Sequence, residues 1–112
     1  MAHYLLEASG SAQMYATLVK NPHDRAEALR PLFEKLGCKL TDYYFAVNQA
    51  KHYVILESSE PLDPLIVEAM VISNIANGVA NSISITQLLT SAEMVEALKK
   101  TSELGYRPPT AS

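Results

Sequence analysis

The chain is poor in several features that would narrow its chemistry at once. It holds a single cysteine, Cys38, in 112 residues, so no intrachain disulfide forms. No base accompanies Cys38 at a fixed spacing, and it reads as a buried or half-buried structural thiol. One cysteine and three scattered histidines do not make a zinc-ligand pattern, and neither metal nor cofactor is expected. Basic residues are in the minority, with 9 Lys+Arg against 12 Asp+Glu and a formal net charge of -3. Without a basic stripe, nucleic acid is not an expected partner. No apolar run approaches the ~18 residues of a membrane-spanning helix. The opening segment MAHYLLEASG lacks the basic n-region of a secretory signal. A cytoplasmic protein with no membrane partner is the expectation. Phosphate loops, Ser-His-Asp spacings and haem-attachment motifs are also missing.

What is there is an ordinary globular composition, 48% hydrophobic and 19% charged, enough for one modest core. We expect a single domain over residues 1–104 and a polar, proline-containing tail over 105–112. His3 to Ala8 fits a strand, stopped by Ser9-Gly10. Ser11 to Lys20 is open between an irregular loop and a short helix. Asn21-Pro22 carries helix start signals, Asn as N-cap and Pro at the first helical position, with Asp24 in the first turn. Leu29, Leu32, Phe33 and Leu36 follow helical spacing to Gly37, and Pro31 should kink or divide this helix. Leu40 to Val47 and His52 to Ser58 read as strands joined by Asn48-Gln49-Ala50, a turn without glycine. Asp63-Pro64 opens a nearly all-apolar helix to about Ala76, and such a helix needs cover all round. Ser82 to Leu89 alternates as a fourth strand. Thr90 and Glu93 form a capping box for a last helix, with Met94, Val95, Leu98 and Leu104 on its buried side.

The order β-α-β-β-α-β-α predicts an α+β fold, a ferredoxin-like split βαβ sandwich with a four-stranded antiparallel-type sheet and helices on one face. Right-handed crossovers would make the first and third strands central, parallel neighbours. Alternation places Leu5, Glu7, Tyr44, Tyr53, Ile55, Glu57, Ser84 and Thr86 on the open face, and Tyr43, Phe45 and Val47 under helices. Glu7 and Glu57 would then sit close together on adjacent strands. Neighbouring carboxylates suit general acid-base work or cation binding, or else they accept bonds from Tyr, Ser, Thr or water in a subunit interface. His52 falls on the helix side, either as a base near neutral pH or as a hydrogen-bonded, half-buried side chain. The candidate catalytic residues are therefore His52, Glu57 and Glu7, and the candidate ligand-binding residues Tyr43, Tyr44 and Tyr53.

Three segments, NPHDRAEALRPLFEKLGCKLTDYYF, YVILES and TSAEMVEALKK, give the chain, over roughly residues 3 to 100, a pattern that resembles the GYD-domain proteins. These are small bacterial proteins of the dimeric α+β barrel type. Arg25, the EKLG helix ending, Tyr44 and Glu57 stand where that family has like residues. The family's Gly, Tyr and Asp hairpin signature is replaced by NQAK, Asn48 to Lys51, and any role of those Tyr and Asp residues is not carried over. Asn48 can replace the glycine where a positive φ is needed. The resemblance implies the dimeric α+β barrel fold and assembly. The wider superfamily includes isomerases, cofactor-free oxygenases, cyclases, haem enzymes and ligand-sensing or structural modules, so activity has to come from the site.

Two functions compete. One is a small-molecule site in each subunit of a homo-oligomer, with cofactor-independent isomerase, cyclase or lyase chemistry on a small, partly apolar substrate. The other is a non-catalytic ligand-binding or assembly module whose polar network stabilises the subunit interface. A pocket of roughly 300 Å³ or more with converging polar groups favours the first. Fully paired glutamates favour the second.

Overall fold

The computed structural model describes residues 1–109. The part of the expected tail beyond residue 109 lies outside the described residues. The elements are β1 (Ala2–Gly10), α1 (Ala12–Lys20), α2 (Arg25–Lys35), β2 (Cys38–Ala46), β3 (Lys51–Ser58), α3 (Pro64–Ala76), β4 (Ala80–Leu88), α4 (Ser91–Lys99) and α5 (Thr101–Leu104). The strands form one sheet in the order β2-β3-β1-β4, and every neighbouring pair is antiparallel.

The central pair β1 and β3 is thus antiparallel, not parallel as the crossover rule had suggested. The hairpin between β2 and β3 is the reason. A crossover makes β1 run parallel to β2, and β3, inserted between them, has been reversed by the turn. That turn needs positive φ at Asn48 (67°) and also at Ala50 (52°). Asparagine tolerates this region well and alanine does not.

Alternation sorts the sheet into two faces. Tyr4, Leu6, Ala8, Val54 and Leu56 are buried on one face with Cys38 and Leu40. Phe33 is buried with them, and Leu29 of α2 and Met70 of α3 pack against this set. Full burial of Val54 and Leu56 contributes about 1.5–3 kcal/mol each. A β-bulge between Leu40 and Asp42 resets the phase of β2, so Tyr43 lies opposite Val54 and Phe45 opposite His52. Tyr43 is half-buried as expected, but Phe45 is partly exposed and Val47 lies exposed in the turn. Helix cover ends before that end of the strand.

The helices start where side-chain caps compete best. Ser11 accepts from Met14 N at 3.0 Å, which makes 12–20 a true helix. Its hydroxyl also donates to the carbonyl oxygen of Gly78. Asn21 is not an N-cap: its N–H closes α1 on Thr17 O at 2.9 Å. Asp24 caps α2 instead, accepting from Ala26 N at 2.9 Å. Pro31 lies within α2 without dividing it. Asp63 caps α3, with Pro64 following in its first turn. Gly78 follows α3 at φ +72°, a conformation that costs any L side chain about 1–2 kcal/mol. Gly78→Ala should lower stability by about that amount, read from the denaturant midpoint. An unchanged midpoint would show that the loop relaxes freely.

The last helices depart most from expectation. Thr90 and Glu93 form both bonds of the capping box, at 3.0 and 2.8 Å, yet Met94, Val95 and Leu98 of α4 are 48–55% exposed. Leu104 is exposed too. The element with which α4 makes substantial contact is α5. The molecule is accordingly elongated, 63 × 31 × 26 Å, with a radius of gyration of 17.8 Å, against about 13 Å for a compact domain of similar length. The apolar stripe of α4 is present but is not buried within this chain.

Candidate functional site

The register separates the two glutamates. Glu57 lies opposite His3, and Glu7 lies opposite Tyr53. Both are on the open face, but four residues of strand separate their positions, about 13 Å at 3.3 Å per residue. The expected carboxylate pair does not form. Antiparallel pairing of β1 and β3 is the cause, since it sends Glu7 and Glu57 to opposite ends of the sheet. Each has a partner of its own. Glu57 lies 3.5 Å from His3 Nε2, and Glu7 accepts from Ser84 Oγ at 3.4 Å. Tyr53 is half-buried between Glu7 and Tyr44 in register. Tyr44 is exposed and donates to Asp42 Oδ1 at 3.3 Å. Among the described residues no group of His, Cys, Asp and Glu is arranged to hold a metal ion. Cys38 is buried, and burial pushes its thiol pKa up, which keeps it protonated and inert.

The other two candidates do come together, on the helix side. His52 is only 7% exposed. Its ring stacks on Tyr43, with centroids 5.5 Å apart and planes 12° apart, and meets Phe45 at 5.5 Å. His52 and Tyr43 line a mostly enclosed cavity of about 50 Å³ between sheet and helices, with Arg25, Met70 and Asn74. His52 Nδ1 is buried and has no hydrogen-bond partner. Arg25 Nε is buried and unpartnered as well. Two unsatisfied donors or acceptors around one cavity are unusual, because buried polar groups are nearly always paired.

The electrostatics follow from this placement. Burial, and after it the Arg25 charge, holds the His52 imidazole below its ordinary 6.5. His52 is therefore neutral at physiological pH. Burial pushes the Tyr43 phenol up, while the nearby Arg25 guanidinium pulls it down. The cavity thus presents one fixed positive charge, one phenol, one neutral imidazole and the Asn74 amide within otherwise apolar walls. It can orient a small polar molecule and accept a proton at His52.

The depressed histidine has a consequence for stability. The unfolded chain takes up the His52 proton more readily than the folded one. Folding stability is insensitive to this group above about pH 6.5 and falls as the pH drops from there through the folded-state pKa. Denaturant midpoints at about pH 7.5 and about pH 5.5 should show this loss, and the loss should shrink in His52→Phe. Equal losses in both proteins would contradict a neutral His52.

In the sequence Arg25 stands out only at a position that matches the GYD-domain pattern, not as a site residue. The available signal was its position. A cation directly after the N-cap opposes the helix dipole, so its presence there asks for a reason. Placing the N-cap at Asn21 moved Arg25 deeper into the helix and hid that signal. No protein-family model, no curated protein and no solved structure matches this chain.

Proposed function

We propose that this is a small-molecule-binding protein of the ferredoxin-like, dimeric α+β barrel type, akin to the GYD-domain proteins. Its site is the cavity of Arg25, Tyr43 and His52, which at about 50 Å³ falls short of the ~300 Å³ expected of a substrate pocket and takes only a small molecule. The observation that carries the reading is that two residues lining that cavity, His52 and Arg25, each hold a buried, unpartnered nitrogen, Nδ1 and Nε. A fold keeps such unsatisfied groups where function needs them. The neutral imidazole is equipped to take a proton from a bound molecule, and Tyr43 to donate a hydrogen bond.

The open face serves assembly in the same reading. Leu5, Tyr53 and Ile55 form its apolar middle, half-buried already. Glu7 and Glu57 flank them with local partners, which suits an interface network better than catalysis. The uncovered stripe of α4 and the exposed Leu65 and Ile72 of α3 are further surface for a second copy. Two-fold pairing of identical faces is the commonest way to cover it. The site is tested by a ligand-observed NMR screen of small polar molecules against the wild type and His52→Phe. Hits should bind the wild type and lose affinity for the variant. Hits that bind both equally would remove His52 from the site.

A further inference from the structure

The cavity's lining decides the sign of its ligand. We infer that the ligand is a small carboxylic acid bound as its carboxylate, clamped by Arg25, with its apolar body directed toward Leu18 and Val79. This rests on the reading of the Arg25–His52 cavity as the ligand site.

Three observations carry it. The first is how the Arg25 guanidinium is used. Its Nη1 lies 3.2 Å from His23 Nε2, and His23 Nδ1 lies 2.8 Å from Asn21 O. A carbonyl accepts only, so Nδ1 carries the His23 proton and Nε2 accepts from arginine. This fixes one edge of the guanidinium against the protein. Arg25 Nε is buried without a hydrogen-bond partner, the Tyr43 phenol lies close to the guanidinium, and among the described residues no carboxylate lies within ion-pair distance of Arg25. The Nε edge of a guanidinium has the fork geometry that matches a carboxylate with two parallel hydrogen bonds.

The second is charge. A neighbouring cavity of about 130 Å³ shares Arg25, Met14 and Val79 with the inner one of about 50 Å³. Neither is lined by an aspartate or a glutamate, although the chain as a whole carries net charge -3. The local excess is one positive charge. A monoanion neutralises it, whereas a dianion would leave a charge uncompensated between apolar walls, which is costly.

The third is size. The inner cavity has room for about three to five waters by volume, which is the scale of a carboxylate with a carbon or two. The outer cavity, lined by Gln13, Thr17 and Leu18 among others, takes a short aliphatic or single-ring body. Both volumes are well below the ~300 Å³ of a drug-sized site, so the ligand is small.

The test uses the full chain and three matched pairs: acetate with acetamide, isobutyrate with isobutyramide, and benzoate with benzamide. Each member is titrated into the wild type while the His52 ring signals are followed by NMR. We expect at least one acid to saturate at millimolar concentration or below, with its amide bound at least about tenfold more weakly. Arg25→Lys, which keeps the charge and loses the fork, should weaken that acid by about tenfold or more while its spectrum stays dispersed. Acid and amide binding equally well at His52 would overturn the carboxylate assignment and leave the cavity as the site. Unchanged acid affinity in Arg25→Lys would overturn the clamp. If no member of any pair moves the His52 signals, both the ligand class and the site fail. The acid-amide comparison needs only the wild type, so it stands even where Arg25→Lys folds poorly.

Discussion

His52→Phe should make the protein more stable and take away its ligand binding. His52 is buried on the helix side of β3 with its Nδ1 unpartnered. An unsatisfied buried polar atom costs about 1–3 kcal/mol. Phenylalanine keeps a ring in the stack with Tyr43 and Phe45 and needs no partner. The small cavity beside it accepts the slightly larger ring. A gain of about 1–2 kcal/mol raises the thermal midpoint by several degrees in a domain of this size, at roughly 4 °C per kcal/mol. Differential scanning calorimetry at neutral pH reads the midpoint, and the NMR screen reads the binding. A histidine held for structure would give the opposite result, since its loss would strand a partner and lower the midpoint. Improved stability with lost binding is the signature of a residue kept for its chemistry.

Ile55→Asp should abolish self-association. Ile55 sits mid-sheet on the open face, paired in register with Leu5 on one side and Asp42 on the other. Its neighbours in sequence, Val54 and Leu56, point into the core, so the change leaves the core untouched. A carboxylate there goes unpaired against Leu5 and is repelled by the neighbouring Asp42, costing about 3 kcal/mol or more in an interface. That cost corresponds to about a hundredfold weaker association or worse. Sedimentation should show a dimer or larger assembly for the wild type at micromolar concentration and a monomer for the variant, with unchanged helix content. A wild-type monomer, or a variant that still assembles, would show that the open face is not the interface.

Much of this architecture was legible in the residues. The period-two alternation of Tyr4, Leu6 and Ala8 and of His52, Val54 and Leu56 marked the buried faces, because inward and outward positions differ in polarity there. The bounds of α3 were legible for the same kind of reason, since Asp63-Pro64 starts it and Asn77-Gly78 ends it. Strand direction was not written in any local pattern. It depends on counting reversals through the β2–β3 hairpin, and mistaking it brought Glu7 and Glu57 together when the register holds them apart. The start of α2 was misplaced at Asn21, because asparagine and aspartate both cap well, and only the end of α1 shows that Asn21 is already engaged and that Asp24 is the cap. Met94, Val95 and Leu98 of α4, read as its buried side, are exposed. Periodicity says which side wants cover, not whether the same chain supplies it. The cavity itself was invisible, because Arg25, Tyr43 and His52 come from three elements that only the packing of α2 on the sheet unites.

The most direct measurement is a residue-resolved NMR titration of the wild type with benzoate, following the ring signals of His52 and Tyr43 on one side of the sheet and Tyr53 on the other. If the site lies between Arg25, Tyr43 and His52, the first two move together and saturate at one concentration while Tyr53 stays in place. Movement of Tyr53 with His52 and Tyr43 unchanged would put the ligand on the open face and contradict the assignment.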